Sequence, residues 1–580
     1  MSSVYNMKYF IPEWDDRVDP NYDFITDTHS IEHKRNPVKN DVYTWDIFGL
    51  DNVPIDGVLV SRVVIMQNRK KYEWALKEGI HKVLHLPENF EIMGDCGAFG
   101  YVKEKVPPYN PIETLKYYRD LGFNYGVTVD HLVVPQFKED KDFRIRLTYE
   151  NGIKSYYEWL KKFKNNFQLV VAIQGWDISD YLKMYKDYLK HGIRYLGFGG
   201  LVRSPTSFII RLIDELIRII KETKKVPEYL HFFGLARFSL FPKFQELEDL
   251  GVKVGFDSAS FLRKAWLSSP RMELNYITLD GKGYAAIRIP FVGRRAEKKQ
   301  SNSTEKPDAD ILKELEQECL RKLRMFDRGE INLQSVLDSL AKFNKVIGAD
   351  PEVIRFYRRT LEEKPWKKCD CPICRSIGIE VVIFRGNNRN RRRGFHNTYV
   401  FYKVLKNPKL WSNFVKKFMN EEEIDLKSLK KGEKVLIITG CTKEKLGYDS
   451  SVKAPAKDMY QGRLFKVVRK YCEKMGFDYV IISAKYGLLH PDDVIEGYEK
   501  VLRTKEDVKQ IQPIVEKKLR PLLDKYDKII VIAGKRYREV LENLWDERFT
   551  TIKSRGYGDL CSIVSKATTS SNRSLLEFIG

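Results

Sequence analysis

Leu169-Val170-Val171-Ala172-Ile173-Gln174-Gly175, the amphipathic stretch Ile178–Lys190, and Tyr195-Leu196-Gly197-Phe198-Gly199-Gly200-Leu201 read in order as strand, helix and strand. Short apolar runs separated by helical patterns predict parallel strands covered by helices. Outward from this unit the alternation continues from about Val58 to Phe291. Its strand-like runs include Gly57-Val58-Leu59-Val60, Asn124-Tyr125-Gly126-Val127-Thr128-Val129, Tyr229-Leu230-His231-Phe232-Phe233 and Val252-Lys253-Val254-Gly255-Phe256, and Ser207–Glu222 is a further helical pattern. Repetition on this scale favours an α/β fold of the (β/α)8 TIM-like barrel type over an open doubly wound sheet.

Beyond the alternation, residues 294–309 are charged and nearly free of apolar side chains, and read as an exposed loop. Helical patterns follow at Asp310–Met325, Leu333–Phe343 and His396–Phe418. A second alternating region has strands at Val435–Ile438, Tyr479–Ser483 and Lys528–Ile532. The division expected is a barrel domain over 1–425, including the cysteine cluster described below, and a small α/β domain over 430–580.

The 580-residue chain is 43% hydrophobic and 13% aromatic, which describes folded domains rather than a disordered chain. Its N-terminus lacks a signal-peptide pattern, and no apolar run reaches membrane-spanning length, so a soluble cytoplasmic protein with no membrane partner is expected. Lysine and arginine total 101 against 79 acidic residues, a net charge of +22 that points to a polyanionic partner, most simply nucleic acid.

Of the eight cysteines, Cys369, Cys371 and Cys374 cluster and the others are dispersed, unlike a disulfide framework. Three cysteines at this spacing suit a tight knuckle, and His396 can complete a tetrahedral Cys3His zinc site. Four good ligands leave no position open for water, so the zinc is expected to be structural. Between the last cysteine and His396 lie Arg385, Arg389, Arg391, Arg392 and Arg393, interspersed with Asn387, Asn388 and Asn390. This stretch reads as a basic loop anchored by the knuckle and suited to phosphate contact.

In a parallel barrel the reacting groups sit where strands end and the following loops converge. Asp95, Asp130, Gln174 and Asp257 all fall at such ends, and Gly197-Phe198-Gly199-Gly200-Leu201 lets backbone approach a ligand closely. Each aspartate or glycine alone would serve as a helix cap; their recurrence on successive strand ends points to a site.

Asp95-Cys96-Gly97-Ala98-Phe99 resembles the Asp-Ser-Gly-Gly-Phe signature of the guanine transglycosylases, base-exchanging enzymes of queuosine and archaeosine tRNA modification. Asp130, Gln174-Gly175, Gly199-Gly200-Leu201, Phe256-Asp257 and the Cys369, Cys371, Cys374 and His396-Asn397 set follow in that family's order, so the resemblance covers roughly residues 55–410. It implies that Asp257 is the nucleophile at C1′ of the target sugar and that Asp95 is the general acid/base. It further implies that Cys96, Asp130, Gln174, Gly199, Gly200 and Leu201 bind the base, which has to leave the stack. Arg263, which ends the segment after the nucleophile, is expected on the nucleic acid.

The sequence departs from the signature at Cys96, at Gly100 and at Ser258-Ala259-Ser260-Phe261-Leu262-Arg263, where the family has Cys-x-x-Pro-Thr-Arg. Gly200-Leu201-Val202-Arg203-Ser204 lacks the family's acidic residue, and no PUA-like RNA-binding tail follows. In these respects the chain looks more like the DNA-guanine transglycosylases, which place 7-deazaguanines such as preQ0 into DNA. The resemblance thus implies DNA and a free 7-deazaguanine base as partners, with a homodimer as the assembly to test. The alternatives are the same chemistry on tRNA and a non-catalytic nucleic-acid-binding paralogue; retention of both Asp95 and Asp257 argues against the latter. Gly440-Cys441-Thr442-Lys443-Glu444-Lys445, Met459-Tyr460-Gln461-Gly462 and Ile482-Ser483-Ala484-Lys485-Tyr486-Gly487-Leu488 resemble the uncharacterised α/β domain DUF6884. Lys443, Lys445 and Lys485 there suit phosphate, and a nucleic-acid docking module is expected, with a second active site as the alternative.

Overall fold

The computed structural model describes residues 6–202, 204, 206–291, 309–411, 413–414, 434–523, 525–526, 528–546, 548–552 and 556–570. The stretch expected as an exposed loop, 294–309, lies outside them except for Ala309, which opens a helix. The chain divides into two compact units, Met1–Ser204 with Phe208–Phe414, and Val415–Gly580 with Pro205–Ser207.

In the first unit eight strands close a parallel barrel: β1 (Lys8–Pro12), β2 (Gly57–Ser61), β3 (Glu91–Asp95), β4 (Tyr125–Val127), β5 (Gln168–Ile173), β6 (Tyr195–Phe198), β7 (Tyr229–Phe232) and β8 (Lys253–Asp257). Closure comes from β1, which pairs in parallel with β2 and with β8 (Lys8 opposite Gly255). The expected alternation began at Val58 and so missed β1: residues 13–56 separate it from β2, and Pro12 ends it. Phe10, Leu59, Met93, Val127, Val170, Ala172 and Tyr229 fill the interior as a layer of bulky side chains. Gly94 and Gly126 are small for a reason: a Cβ on either would lie 2.4 or 2.3 Å from the ring of Tyr118. That ring belongs to helix Pro111–Leu121, which Asn110 caps and left-handed Gly122 ends. No helix among the described residues is long and apolar enough to cross a membrane.

After the barrel, helices Ala309–Arg328, Leu333–Val346 and Val353–Glu363 lead to the cysteine knuckle. The arginine-rich stretch is not a loop. It opens helix Gly386–Leu405, longer at its start and shorter at its end than the expected 396–418. Arg385, Arg389, Arg392 and Arg393 are buried and turned inward rather than offered to phosphate. Arg385 pairs with Asp27 and Glu316 at 2.6 Å each, while Arg389 pairs with Glu380 at 2.6 Å and also with Asp27. Arg392 donates to the Asp19 carbonyl at 3.0 Å, and Arg393 donates to the carbonyls of Ala265, Val381 and Ile383. Arg391 alone is half-buried, its guanidinium on the Arg17 carbonyl. Counting charge along the sequence cannot reveal these acceptors, because Asp27 is 358 residues from Arg385.

Among the described residues the second unit has a five-stranded sheet in the order 487–489, 478–483, 435–440, 528–532, 549–551 and a separate pair, 453–455 with 494–496, where three strands were expected. All neighbours in the five-stranded sheet are parallel except 487–489. Helices Arg463–Met475, Lys505–Leu523 and Tyr557–Ser570 accompany it.

Removing one member of a buried ion-pair network strands the rest without water. Arg389→Gln is therefore expected to lower the stability of the barrel unit by about 3–5 kcal/mol in urea unfolding. Arg391→Gln, at the half-buried position, should cost less than about 1 kcal/mol; equal losses would contradict the assignment.

Candidate active site and metal centre

Asp95 ends β3, Asp257 ends β8, and Asp130, Gln174 and Gly199–Leu201 follow β4, β5 and β6, so all stand at the carboxyl face of the barrel. Asp130, Gln174, Gly199 and Gly200, together with Cys96, form one contact set. Gln174 Nε2 donates to Asp130 Oδ2 at 2.6 Å, and the Cys96 thiol donates to Asp130 Oδ1 at 3.1 Å. A Cβ at Gly199 would lie 2.2 Å from Gln174 Nε2, and one at Gly200, where φ is +77°, would lie 2.7 Å from Gln174 Oε1. Those two glycines are thus the floor on which the amide rests. Gln174 Oε1 is buried and accepts no hydrogen bond, an open place for a donor on a bound molecule. Leu201 is fully buried behind it.

Asp257 is held on one side only. Its Oδ1 accepts the backbone N–H of Gly234 at 3.0 Å and faces His231 Nε2 at 3.1 Å. His231 is fully buried, with the Tyr229 hydroxyl 2.8 Å from Nδ1. With Nδ1 accepting from that hydroxyl, Nε2 carries the proton and donates it to the carboxylate. Among the described residues nothing donates to Oδ2, which is left available. Neither Tyr229 nor His231 was singled out in the sequence, although both sit in the β7 run and alternate residues of a strand share a face.

Asp95 Oδ2 accepts the Gly97 N–H at 3.0 Å. Enclosure by protein pushes its carboxyl up to about 7, with the negative charges of Asp130 and Asp257 adding to the shift. Burial also raises the Asp130 carboxyl and keeps the Cys96 thiol protonated. Arg263 stands over the ring of Trp14 at 4.8 Å, in the helix that follows β8. Phe99, two residues past Gly97, is 66% exposed.

Cys369, Cys371, Cys374 and His396 converge, their ligand atoms all within 4.8 Å of one another. Imidazole Nδ1 lies 3.6, 3.4 and 3.5 Å from the three sulfurs. A tetrahedron with zinc–sulfur and zinc–nitrogen bonds has sulfur–nitrogen edges of about 3.6 Å, so the donor set fits such an ion. His396 Nε2 faces the Ile277 carbonyl at 2.9 Å, which fixes Nδ1 as the ligating nitrogen, and Tyr276 stacks on the ring at 3.9 Å. An ion at this centre would have four protein ligands, the number that a tetrahedral site takes.

A carboxyl raised in the fold binds protons that the unfolded chain has released. Stability tied to Asp95 is therefore present below about pH 4 and is lost as pH rises towards about 7. Asp95→Asn should gain on the wild type in thermal unfolding across that interval and hold a constant advantage above it. Parallel pH profiles for the two proteins would refute the shift.

Residues 435–556 match a family of unknown function, DUF6884. The chain is 23% identical over 224 residues to the tRNA-guanine(15) transglycosylase of Pyrococcus abyssi (strain GE5 / Orsay), covering 37% of this chain and 35% of that protein. It is 32% identical over 417 residues to the DNA-guanine transglycosylase of Salmonella montevideo, covering 69% of this chain and 96% of the relative. A closed parallel barrel, a ring of carboxylates at its carboxyl face, a Cys3His centre and a match along nearly all of that relative lead to one conclusion: the chain belongs to the DNA-guanine transglycosylase family.

Proposed function

We propose that the barrel exchanges guanine in DNA for a free 7-deazaguanine such as preQ0 through a glycosyl-aspartate intermediate. The observation that carries this reading is the contrast between two carboxylates in one mouth. Asp257 has one oxygen clamped and the other open, and Asp95 has its proton affinity raised to about 7. The first suits a nucleophile and the second a group that both gives and takes a proton near neutrality.

In the proposed cycle Oδ2 of Asp257 attacks C1′ of the target deoxyribose. The C1′–N9 bond breaks, its electron pair goes to the purine, and the proton on Asp95 neutralises the departing guanine. The incoming base then loses its N9 proton to Asp95. Its freed electron pair forms the new bond to C1′, and the ester bond to Asp257 breaks. Atoms balance as one guanine released for each deazaguanine bound.

Asp130 is suited to accept from the purine 2-amino and N1–H groups. The unpaired Gln174 Oε1 is suited to a donor on the base, and the Gly199–Gly200 backbone to the O6 edge and the 7-substituent. Exposed Phe99 offers a face for a base drawn out of the stack. Arg263 is retained as a phosphate contact, whereas the buried arginines of helix Gly386–Leu405 are not. DNA as the acceptor is supported by the extent of the match to the Salmonella relative, and zinc by the donor geometry.

Asp257→Asn should abolish incorporation of labelled preQ0 into duplex DNA, and the wild type alone should leave a protein–DNA adduct on a denaturing gel. Normal turnover by the variant would refute the mechanism, and label entering tRNA but never DNA would overturn the substrate. The Cys3His centre should carry one zinc per chain by elemental analysis. Cys371→Ala should lose it and melt at a lower temperature, because ligation contributes folding free energy; an unchanged melting temperature would exclude a structural ion.

A further inference from the structure

The C-terminal sheet has a switch point. Strand 435–440 lies between 478–483 and 528–532, so the chain leaves it towards one side and returns on the other. In open parallel sheets the loops at such a point diverge and leave a crevice beyond the carboxyl ends of the strands, where ligands bind. The groups that the loops bring there form a connected set. Cys441, just past the central strand, has its sulfur 3.1 Å from the Tyr537 hydroxyl and accepts the Ala484 N–H at 3.4 Å. A hydroxyl chain runs from Tyr460 to Tyr498 (2.9 Å) and on to Ser483 (2.8 Å).

Lys445 is the group that this set leaves unexplained. An antiparallel bridge to Tyr460 fixes its backbone, and its side chain turns inward until the residue is only 6% exposed. The ammonium lies 4.4 Å from the centre of the Tyr498 ring. One of its three donors reaches the Lys500 carbonyl at 3.4 Å, and among the described residues no carboxylate stands within salt-bridge distance. Buried ammonium groups are ordinarily paired, because taking an unpaired charge out of water is unfavourable. Exposed Lys443 and Lys485 accompany it, the latter 5.7 Å from the same Tyr498 ring, and Glu499, beyond salt-bridge distance, is an acidic side chain whose charge also reaches it.

We propose that this crevice is a ligand site for a phosphate ester, with the phosphate oxygens on the Lys445 ammonium and Lys443 and Lys485 closing over it. An anion supplies the charge and the acceptors that burial has withdrawn from Lys445. A terminal phosphate, on a free nucleotide or a strand end, offers three ammonium groups more oxygens and more charge than a backbone phosphodiester does. The inference concerns the C-terminal unit alone and does not depend on the reaction assigned to the barrel.

Calorimetric titration of the full chain with pyrophosphate tests it. The wild type should bind saturably, and Lys445→Met should bind tenfold or more weakly, as expected for loss of a charge-assisted contact. Without ligand Lys445→Met should melt no lower than the wild type, since it removes an unpaired buried charge, and it should lack the rise in melting temperature that pyrophosphate gives the wild type. Displacement of pyrophosphate by a 5′-phosphorylated oligonucleotide but not by its 5′-hydroxyl counterpart would identify a strand end. Stronger displacement by a nucleoside monophosphate would identify a free nucleotide. Equal affinities in the two proteins, no saturable binding to the wild type, or a lower melting temperature for ligand-free Lys445→Met would each overturn the proposal.

Discussion

Three carboxylates at one barrel mouth set the terms for everything around them. Asp95, Asp130 and Asp257 stand at the ends of, or just after, strands of one closed sheet, where water is partly excluded and like charges interact strongly. The chain resolves the repulsion by giving each a different neighbourhood. Asp257 receives two donors on one oxygen, Asp130 receives an amide and a thiol, and Asp95 receives a backbone N–H and holds its proton towards neutral pH. Functional differentiation among identical side chains follows from what donates to them.

The carboxylate at β8 is also braced from behind. Helix Ser260–Leu267 begins three residues after Asp257, and helix Gly386–Leu405 crosses it so closely that a Cβ at Gly394 would lie 2.7 Å from the Leu262 carbonyl. Arg393 and Asn275 both donate to the Ala265 carbonyl near the end of the first helix, and Asn397 donates to Phe261 near its start. His396, beside Asn397, belongs to the Cys3His centre. The Cys3His residues therefore hold the helix that holds the strand end, which gives a centre remote from the barrel mouth a direct mechanical bearing on Asp257.

Local pattern made much of this legible. Helix Ile178–Lys190 has the bounds that its periodicity gives, and its start is set by the capping box of Asp177 and Asp180. The cysteine spacing and the strand-end aspartates were readable because ligand and loop chemistry are short-range. What escaped depends on partners far along the chain. Five arginines near a histidine look like a phosphate loop until Asp27, Glu316 and Glu380 are placed against them. His231 looks like one more residue of a buried strand until Asp257 is seen beside it, and β1 is too short and too isolated to announce itself.

The same long-range pairing dictates an order of assembly during synthesis. Strand β1 cannot be seated on both edges until residues 253–257 exist, and Asp27 cannot be neutralised until Arg385 and Arg389 do. Residues 8–27, made before these partners, must wait for them with an unpaired strand edge and an acidic group that the native core will bury. A change in β1 therefore acts on the step that closes the barrel, because both of its edges are paired there.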